Sequence, residues 1–188
     1  MMGDGEGDRM LVTLTGGAGA GKTTLARELA KHGSTTVLHA DDYYYADESR
    51  GVWAPDENGV PRLDVGDPRS VDEARLATDV RAALGAGVVI VEGLFARRIT
   101  APPGIPRLDV FVDLAPDLRL ARKIDRKCVQ GGFPLHVLLR NYVQHRRAAH
   151  DRFVEPLRAG SDLVLDGLRS ASELAGQVRG VMAENHGR

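Results

Sequence analysis

Cysteine is almost missing from this chain of 188 residues, where Cys128 stands alone. An internal disulfide is thereby excluded, and such usage fits a reducing cytoplasm. Aromatic residues are scarce at 5%, with a single Trp. Neither sign of charge is in surplus: 25 Lys and Arg face 26 Asp and Glu, for a net charge of −1. No overall field therefore invites nucleic acid or a membrane surface. No apolar run approaches the roughly 20 residues of a membrane span. The six histidines are scattered, without the spacing of metal ligands. The opening Met1-Met2-Gly3-Asp4-Gly5-Glu6 lacks the basic and apolar regions of a signal peptide, and residues 1–9 read as a disordered leader.

Glycine, by contrast, is plentiful and clustered. Gly16-Gly17-Ala18-Gly19-Ala20-Gly21-Lys22-Thr23 fits G-x-x-x-x-G-K-[ST] without a gap, and Thr24 follows. Before it, Met10 to Leu14 reads as a buried strand. After it, Thr24 to Ala30 reads as a helix with Leu25 and Leu29 on one face. Strand, glycine loop and helix N-terminus make an anion cradle of inward backbone N–H groups and a favourable dipole. Lys22, read as solvent-facing, would reach the β/γ-phosphates of a nucleotide, and the Thr23 hydroxyl would ligate Mg²⁺.

Further along, strand signals alternate with helix signals over residues 10–185. Thr35 to Ala40 is rich in β-formers and ends in Asp41-Asp42-Tyr43-Tyr44-Tyr45. Residues 41–66 show no sustained period and read as a long functional loop. Asp67-Pro68 reads as the start of a helix with the stripe Val71, Ala74, Ala77, Val80 and Leu84. Val88 to Val91 is a strand buried on both faces, ending in Glu92-Gly93. Leu108 to Asp113 is the next strand. Pro116 then opens a helix to about Cys128, Gly131-Gly132 breaks it, and another spans Pro134 to Phe153. Asp162 to Leu165 is the last strand. Ser170-x-x-Glu173 is a capping box for a final helix with Leu174, Val178, Val181 and Met182 inward. This pattern predicts one α/β domain around a five-stranded parallel sheet, helices on both faces.

In such sheets ligands bind beyond the carboxyl ends of the strands. Thr23, Asp41 and Glu92 converge there, a hydroxyl and two carboxylates suited to Mg²⁺. One carboxylate would also take the proton of an attacking hydroxyl. Position alone leaves Asp41 and Asp42 as alternatives. Arg119, Arg122, Lys123 and Arg126 share a helix face, and the lid they suggest covers residues 122–136. Arg122 and Arg126 are the first candidates to hold triphosphate. Tyr43, Tyr44, Tyr45 and Trp53 either stack on a flat substrate or cover the loop.

Five stretches in order, GGAGAGKTT, LHADDYYY, VVIVEG, DVFVDLAPDLRLARKIDRK and HDRFVEPLRAGSDLVL, make the chain resemble the uridine kinase family, grouped with phosphoribulokinase and pantothenate kinase. The resemblance implies a three-layer P-loop NTPase fold of the nucleoside and nucleotide kinase kind. It implies ATP as co-substrate and phosphorylation of a hydroxyl on a small molecule. It makes Asp41 the catalytic base, with Lys22 and Arg126 beside the phosphates and Thr23 and Glu92 as Mg²⁺ ligands. Lys123 and Asn141 fall near nucleoside-contacting positions, and Asp67 falls in the segment that matches Phe-Asp-His-Pro of that family. The family's substrate-closing hairpin, between the second helix and the VEG strand, has no counterpart, because Ala83 to Gly87 leads straight into Val88. Uridine and cytidine are accordingly expected to be poor substrates.

Other readings are weaker. A nucleoside monophosphate kinase would need more basic residues in the substrate loop, where residues 41–66 hold only Arg50 and Arg62. A GTP-dependent switch would carry Asn-Lys-x-Asp, and no such tetrapeptide exists. The expected partners are ATP and a small-molecule alcohol. Assembly into a homo-oligomer stays open.

Overall fold

The computed structural model describes residues 9–56 and 59–186. The expected leader falls almost wholly outside them. Strand β1 (Met10–Thr15) is the innermost element, and all six of its residues are buried. Its strand neighbours are β5 (Val88–Gly93) and β6 (Arg107–Asp113). The edges are β2 (Thr35–His39), beside β5, and β7 (Leu163–Asp166), beside β6. All neighbours run parallel, so the five carboxyl ends open on one rim.

Alternation along the strands builds a core on each face. Met10, Val12, Leu14, Ile90, Val110 and Val112 face one side. There they pack against α1 (Lys22–Leu29) through Leu25, Ala26 and Leu29, and against α5 (Ala171–His186) through Leu174, Ala175 and Val178. Leu11, Val89, Val91 and Phe111 face the other side, against Leu76 and Val80 of α2 (Glu73–Ala83). The polar exceptions on β1 are paired. Thr13 Oγ1 donates to Asp109 Oδ1 at 2.6 Å, and Thr15 Oγ1 accepts from Arg97 N at 3.0 Å. The capping box forms as read: Ser170 N and Oγ donate to Glu173 Oε2, and Glu173 N returns a bond to Ser170 Oγ. No helix among the described residues is long and apolar enough to cross a membrane.

Three segments differ from the sequence reading. Asp67 caps only a short 3₁₀ turn, Pro68–Ser70; α2 begins later, and Asp72 is its cap, accepting from Arg75 N at 3.0 Å. The buried stripe of α2 therefore runs through Leu76, Val80 and Leu84, while Ala74 is exposed. Residues 41–66 are not all loop. They contain a small antiparallel hairpin, β3 (Trp53–Pro55) with β4 (Pro61–Leu63). Strands of three residues are too short to show a period. Finally, α3 (Pro116–Ile124) and α4 (Leu135–Asn141) both run on as π-helical turns, at Asp125–Val129, Tyr142–Arg146 and His150–Val154. These wider turns are enriched at functional sites.

Candidate active site

From the end of β1 the chain turns through the glycine loop into α1, whose first residue is Lys22. Gly19 sits at φ +89°, where an added Cβ would lie 2.6 Å from the Arg119 carbonyl oxygen. Both the backbone angle and that close approach demand glycine. At Gly17 the Arg119 side chain occupies the space a Cβ would need. The Gly17 carbonyl accepts from Ala20 N at 3.1 Å and from Lys22 Nζ at 3.0 Å. Lys22 is not solvent-facing, with only 8% of its surface exposed. Burial lowers its pKa, and the nearby carboxylates of Glu92 and Asp41 oppose that shift.

Glu92 stands at the end of β5, level with Leu14 of β1 and His39 of β2. It is buried, and its Oε1 takes two partners: the Thr23 hydroxyl at 2.9 Å and His39 Nδ1 at 2.8 Å. His39 must carry its proton on Nδ1 to donate there. Asp41 sits in a 3₁₀ turn, Ala40–Tyr43, that caps the end of β2. Burial raises its pKa, Glu92 and Asp42 add to the shift, and Lys22 opposes it. A raised carboxylate pKa suits a general base. Asp42 is handled differently: its backbone oxygen accepts from Arg75, and its side chain stays outside the cavity.

These groups open into one cavity of about 840 Å³. Its floor is Ala18, Gly19, Lys22, Thr23, Asp41 and Glu92. One wall is basic, from α3 and its π extension: Arg119, Lys123, Arg126 and Lys127. Arg146, Arg147 and His150 come from the long helix that begins as α4. The remaining side is Tyr44 with Val65 and Gly66. Two polar contacts fix that strap: Tyr44 Oη donates to the Val65 carbonyl at 3.0 Å, and Arg146 Nη1 donates to Asp64 Oδ1 at 2.7 Å. Arg119 Nε donates to the Leu114 carbonyl at 2.8 Å, and its Nη1 lies 3.3 Å from His150 Nδ1. Burial and the Arg119 charge lower the His150 pKa, so the imidazole stays neutral and accepts from Arg119.

The model of the phosphoribulokinase / uridine kinase family matches residues 69–172. The chain belongs to that family. Among curated relatives, the uridine kinase of Staphylococcus aureus (strain JH9) is 26% identical over 178 residues, covering 82% of this chain and 86% of that protein. Among solved structures, the Mycobacterium tuberculosis APS kinase bound to AMPPNP and APS superposes with a TM-score of 0.59 at 19% identity, covering 95% of this chain and 99% of that one. A sugar kinase from Janibacter sp. HTCC2649 gives 0.57 at 23%, covering 90% and 91%. At such identities the solved structures establish the three-layer P-loop kinase fold alone.

Several residues of this phosphoribulokinase / uridine kinase family member lie apart from the cavity. Tyr43 is buried under Arg75, its hydroxyl donates to Asp79 Oδ2 at 2.7 Å, and its pKa is pushed up to about 12. Asp67 is 5% exposed and holds Arg69 through both carboxylate oxygens. Trp53 Nε1 is spent on the Arg50 carbonyl at 2.7 Å. Arg122 reaches behind the loop, to the carbonyls of Gly167 at 3.1 Å and Gly19 at 3.5 Å. Asn141 lies one residue before Tyr142, which does line the cavity. Sequence reasoning passed over His39, Arg119 as the arginine lying on the loop, and Arg146. Strand spacing did offer a signal for His39, the last residue of β2, since it stands two residues before Asp41.

Proposed function

We propose that the chain is an ATP-dependent kinase that phosphorylates a hydroxyl of a small metabolite. The observation that carries this reading is the meeting of Lys22, Thr23, Asp41 and Glu92 on the floor of one cavity, at the mouth of the glycine loop. Family membership supports it. In the reaction the acceptor oxygen bonds to the γ-phosphorus while the bond from that phosphorus to the β,γ-bridging oxygen breaks, releasing ADP. Asp41 takes the hydroxyl proton. Lys22, Arg119 and Arg126 balance the charge spread over the phosphoryl oxygens. Tyr44 and the 64–66 strap flank the acceptor, and Leu94, Leu120 and Val154 of the lining limit water. ADP release across nucleosides, sugars and pantothenate-like alcohols tests the reading. At least one acceptor should give release that depends on Lys22. Acceptor-independent hydrolysis alone would favour a regulatory NTPase.

The residues fit Mg²⁺. Thr23, Glu92 and Asp41 offer only hard oxygen donors. Among the described residues no group of three or more His, Cys, Asp or Glu could hold a metal by itself. That suits an ion held by one or two protein oxygens plus substrate phosphates. When bound, it would neutralise phosphate charge. Glu92→Gln and Thr23→Ala should each raise the Mg²⁺ concentration needed for half-maximal rate, and EDTA should stop turnover. Undiminished activity in EDTA would remove the metal from this scheme.

Uridine should be a poor acceptor, because α2 passes through one 3₁₀ turn, Leu84–Ala86, straight into β5 and no hairpin intervenes. Lost polar partners cost orders of magnitude in specificity. A uridine kcat/KM near 10⁵ M⁻¹s⁻¹, about the ordinary enzyme value, would mean that the 41–66 segment replaces the hairpin.

A further inference from the structure

We infer that the acceptor carries an anionic group, a phosphate monoester or a carboxylate, seated between Lys123 and Arg146. This rests on the kinase reading and names its substrate class. Tyr44 locates the acceptor side of the cavity: it lines the cavity with Asp41 and Arg146, and its hydroxyl donates to the Val65 carbonyl, next to the Asp64 that holds Arg146. Arg146 therefore stands against the strap that flanks the acceptor. The Arg146 guanidinium is also 3.0 Å from where a Gly66 Cβ would be, so it borders the strap.

Charge at this end is unbalanced. Lys123 and Arg146 are both half-buried. Among the described residues no carboxylate pairs with Lys123, and Asp64 is the single carboxylate paired with Arg146. Besides burial, the groups that lower the Lys123 pKa are Arg146, Arg126 and Lys127, all cations. A half-buried ammonium facing only like charges is unfavourable until an anion arrives. ATP accounts for the cations at the loop, Lys22 and Arg119, with Arg126 next to them. It does not account for Arg146 against the strap, with Lys123 lining the same cavity and within its field. Asp64 keeps the Arg146 fork oriented and leaves other N–H groups for a ligand.

The substrate loop itself is basic-poor, and its two arginines are occupied: Arg50 with Asp72 and the Tyr45 ring, Arg62 with Asp56. The anion-binding charge reaches the acceptor from other elements, α3 and the long helix after it. Sequence inspection of residues 41–66 could not reveal that.

The protein is saturated with a non-hydrolysable ATP analogue, whose own binding heat checks nucleotide binding. Inorganic phosphate is then titrated by calorimetry. One further phosphate should bind, and Lys123→Met should weaken it by about tenfold or more, the scale of one lost charge contact, while analogue affinity changes far less. A nucleotide-loaded protein that takes no phosphate, or a Lys123→Met variant that binds it equally well, would overturn the inference. ADP release is also compared for matched acceptors: a free sugar beside its phosphate monoester, and a hydroxy acid beside its amide. The anionic member should win by about 100-fold in kcat/KM, the upper scale of one hydrogen bond to a charged group. Which pair shows the preference tells phosphate from carboxylate. Preference for the neutral members would also overturn it. No turnover by either, with phosphate bound as expected, would count against the kinase reading alone.

Discussion

Lys22→Ala should lower kcat by about 10²-fold or more, the usual cost of losing a preorganised group that stabilises transition-state charge. Lys22 is held in place before any substrate arrives. Its Nζ donates to the Gly17 carbonyl at 3.0 Å, its body is buried, and it lies within the field of Glu92 and Asp41. An ammonium fixed in this way needs no reorganisation as charge develops on the transferring phosphoryl group. The fold should survive the change, although not because the lysine faces water. Burial depresses the Lys22 pKa, so at neutral pH the unfolded chain holds this proton more readily than the folded one. The charge itself therefore opposes folding below the lowered folded pKa. That penalty disappears as pH rises from there to 10.5, the ordinary value. Removing the lysine relieves the penalty and forfeits the bond to Gly17, worth about 1.5–3 kcal/mol for a charged donor. The two effects have opposite signs, so the melting temperature should move by only a few degrees. Turnover and melting measured on one preparation check both parts. A variant that keeps more than about a tenth of wild-type turnover would contradict the role.

The glycine loop, the five strands and the capping box at Ser170 were legible because each is written in adjacent residues. A strand buried on both faces is a short apolar run, and a phosphate loop is a contiguous spacing. The start of α2 was misread because two cap signals stand five residues apart. Asp67-Pro68 satisfies the rule for a helix start, but its turn ends at Ser70, and Asp72 caps the helix that persists. The loop reading of 41–66 missed a hairpin whose cross-strand pairs, Trp53 with Leu63 and Ala54 with Arg62, are too few to make a pattern. The site residues that escaped notice share a different cause. His39 acquires its meaning from Glu92, 53 residues away, and Arg146 from Asp64, 82 away. No local window contains either pair. Arg119, Arg122, Lys123 and Arg126 were recognised as one basic face, and Arg122 was ranked with Arg126 as first for the triphosphate, a ranking that spacing gave no means to make. In the fold Arg119 lies on Gly17, Arg122 ties down the outside of the loop, and Lys123 and Arg126 face the cavity. One helix face thus serves three purposes.

Asp41→Asn should keep ATP binding but lose turnover by ~10²-fold or more, the contribution of a general base, whereas Asp42→Asn should cost far less. Strand spacing read from the sequence puts Val37, His39 and Asp41 on one side and Leu38, Ala40 and Asp42 on the other, although β2 itself ends at His39. Register gives that alternation a direction, since His39 pairs with Glu92 across the sheet and its ring meets the Glu92 carboxylate. The 3₁₀ turn from Ala40 then carries Asp41 over the same end of the sheet, where it lines the cavity with Lys22 and Glu92, while Asp42 points elsewhere. Resemblance to uridine kinases favours the same residue, because the position after the base is often Ser there and a Ser-tolerant position cannot be an essential carboxylate. The raised Asp41 pKa adds a pH signature. A base works only when deprotonated, so activity should fall as pH drops through a value above the ordinary carboxylate range. In Asp41→Asn that acid limb should disappear from whatever activity remains, and in Asp42→Asn it should persist. Measuring kcat against pH for both variants beside their ATP Kd decides the matter. Equal losses, or the larger loss at Asp42, would move the base to Asp42 or to neither residue.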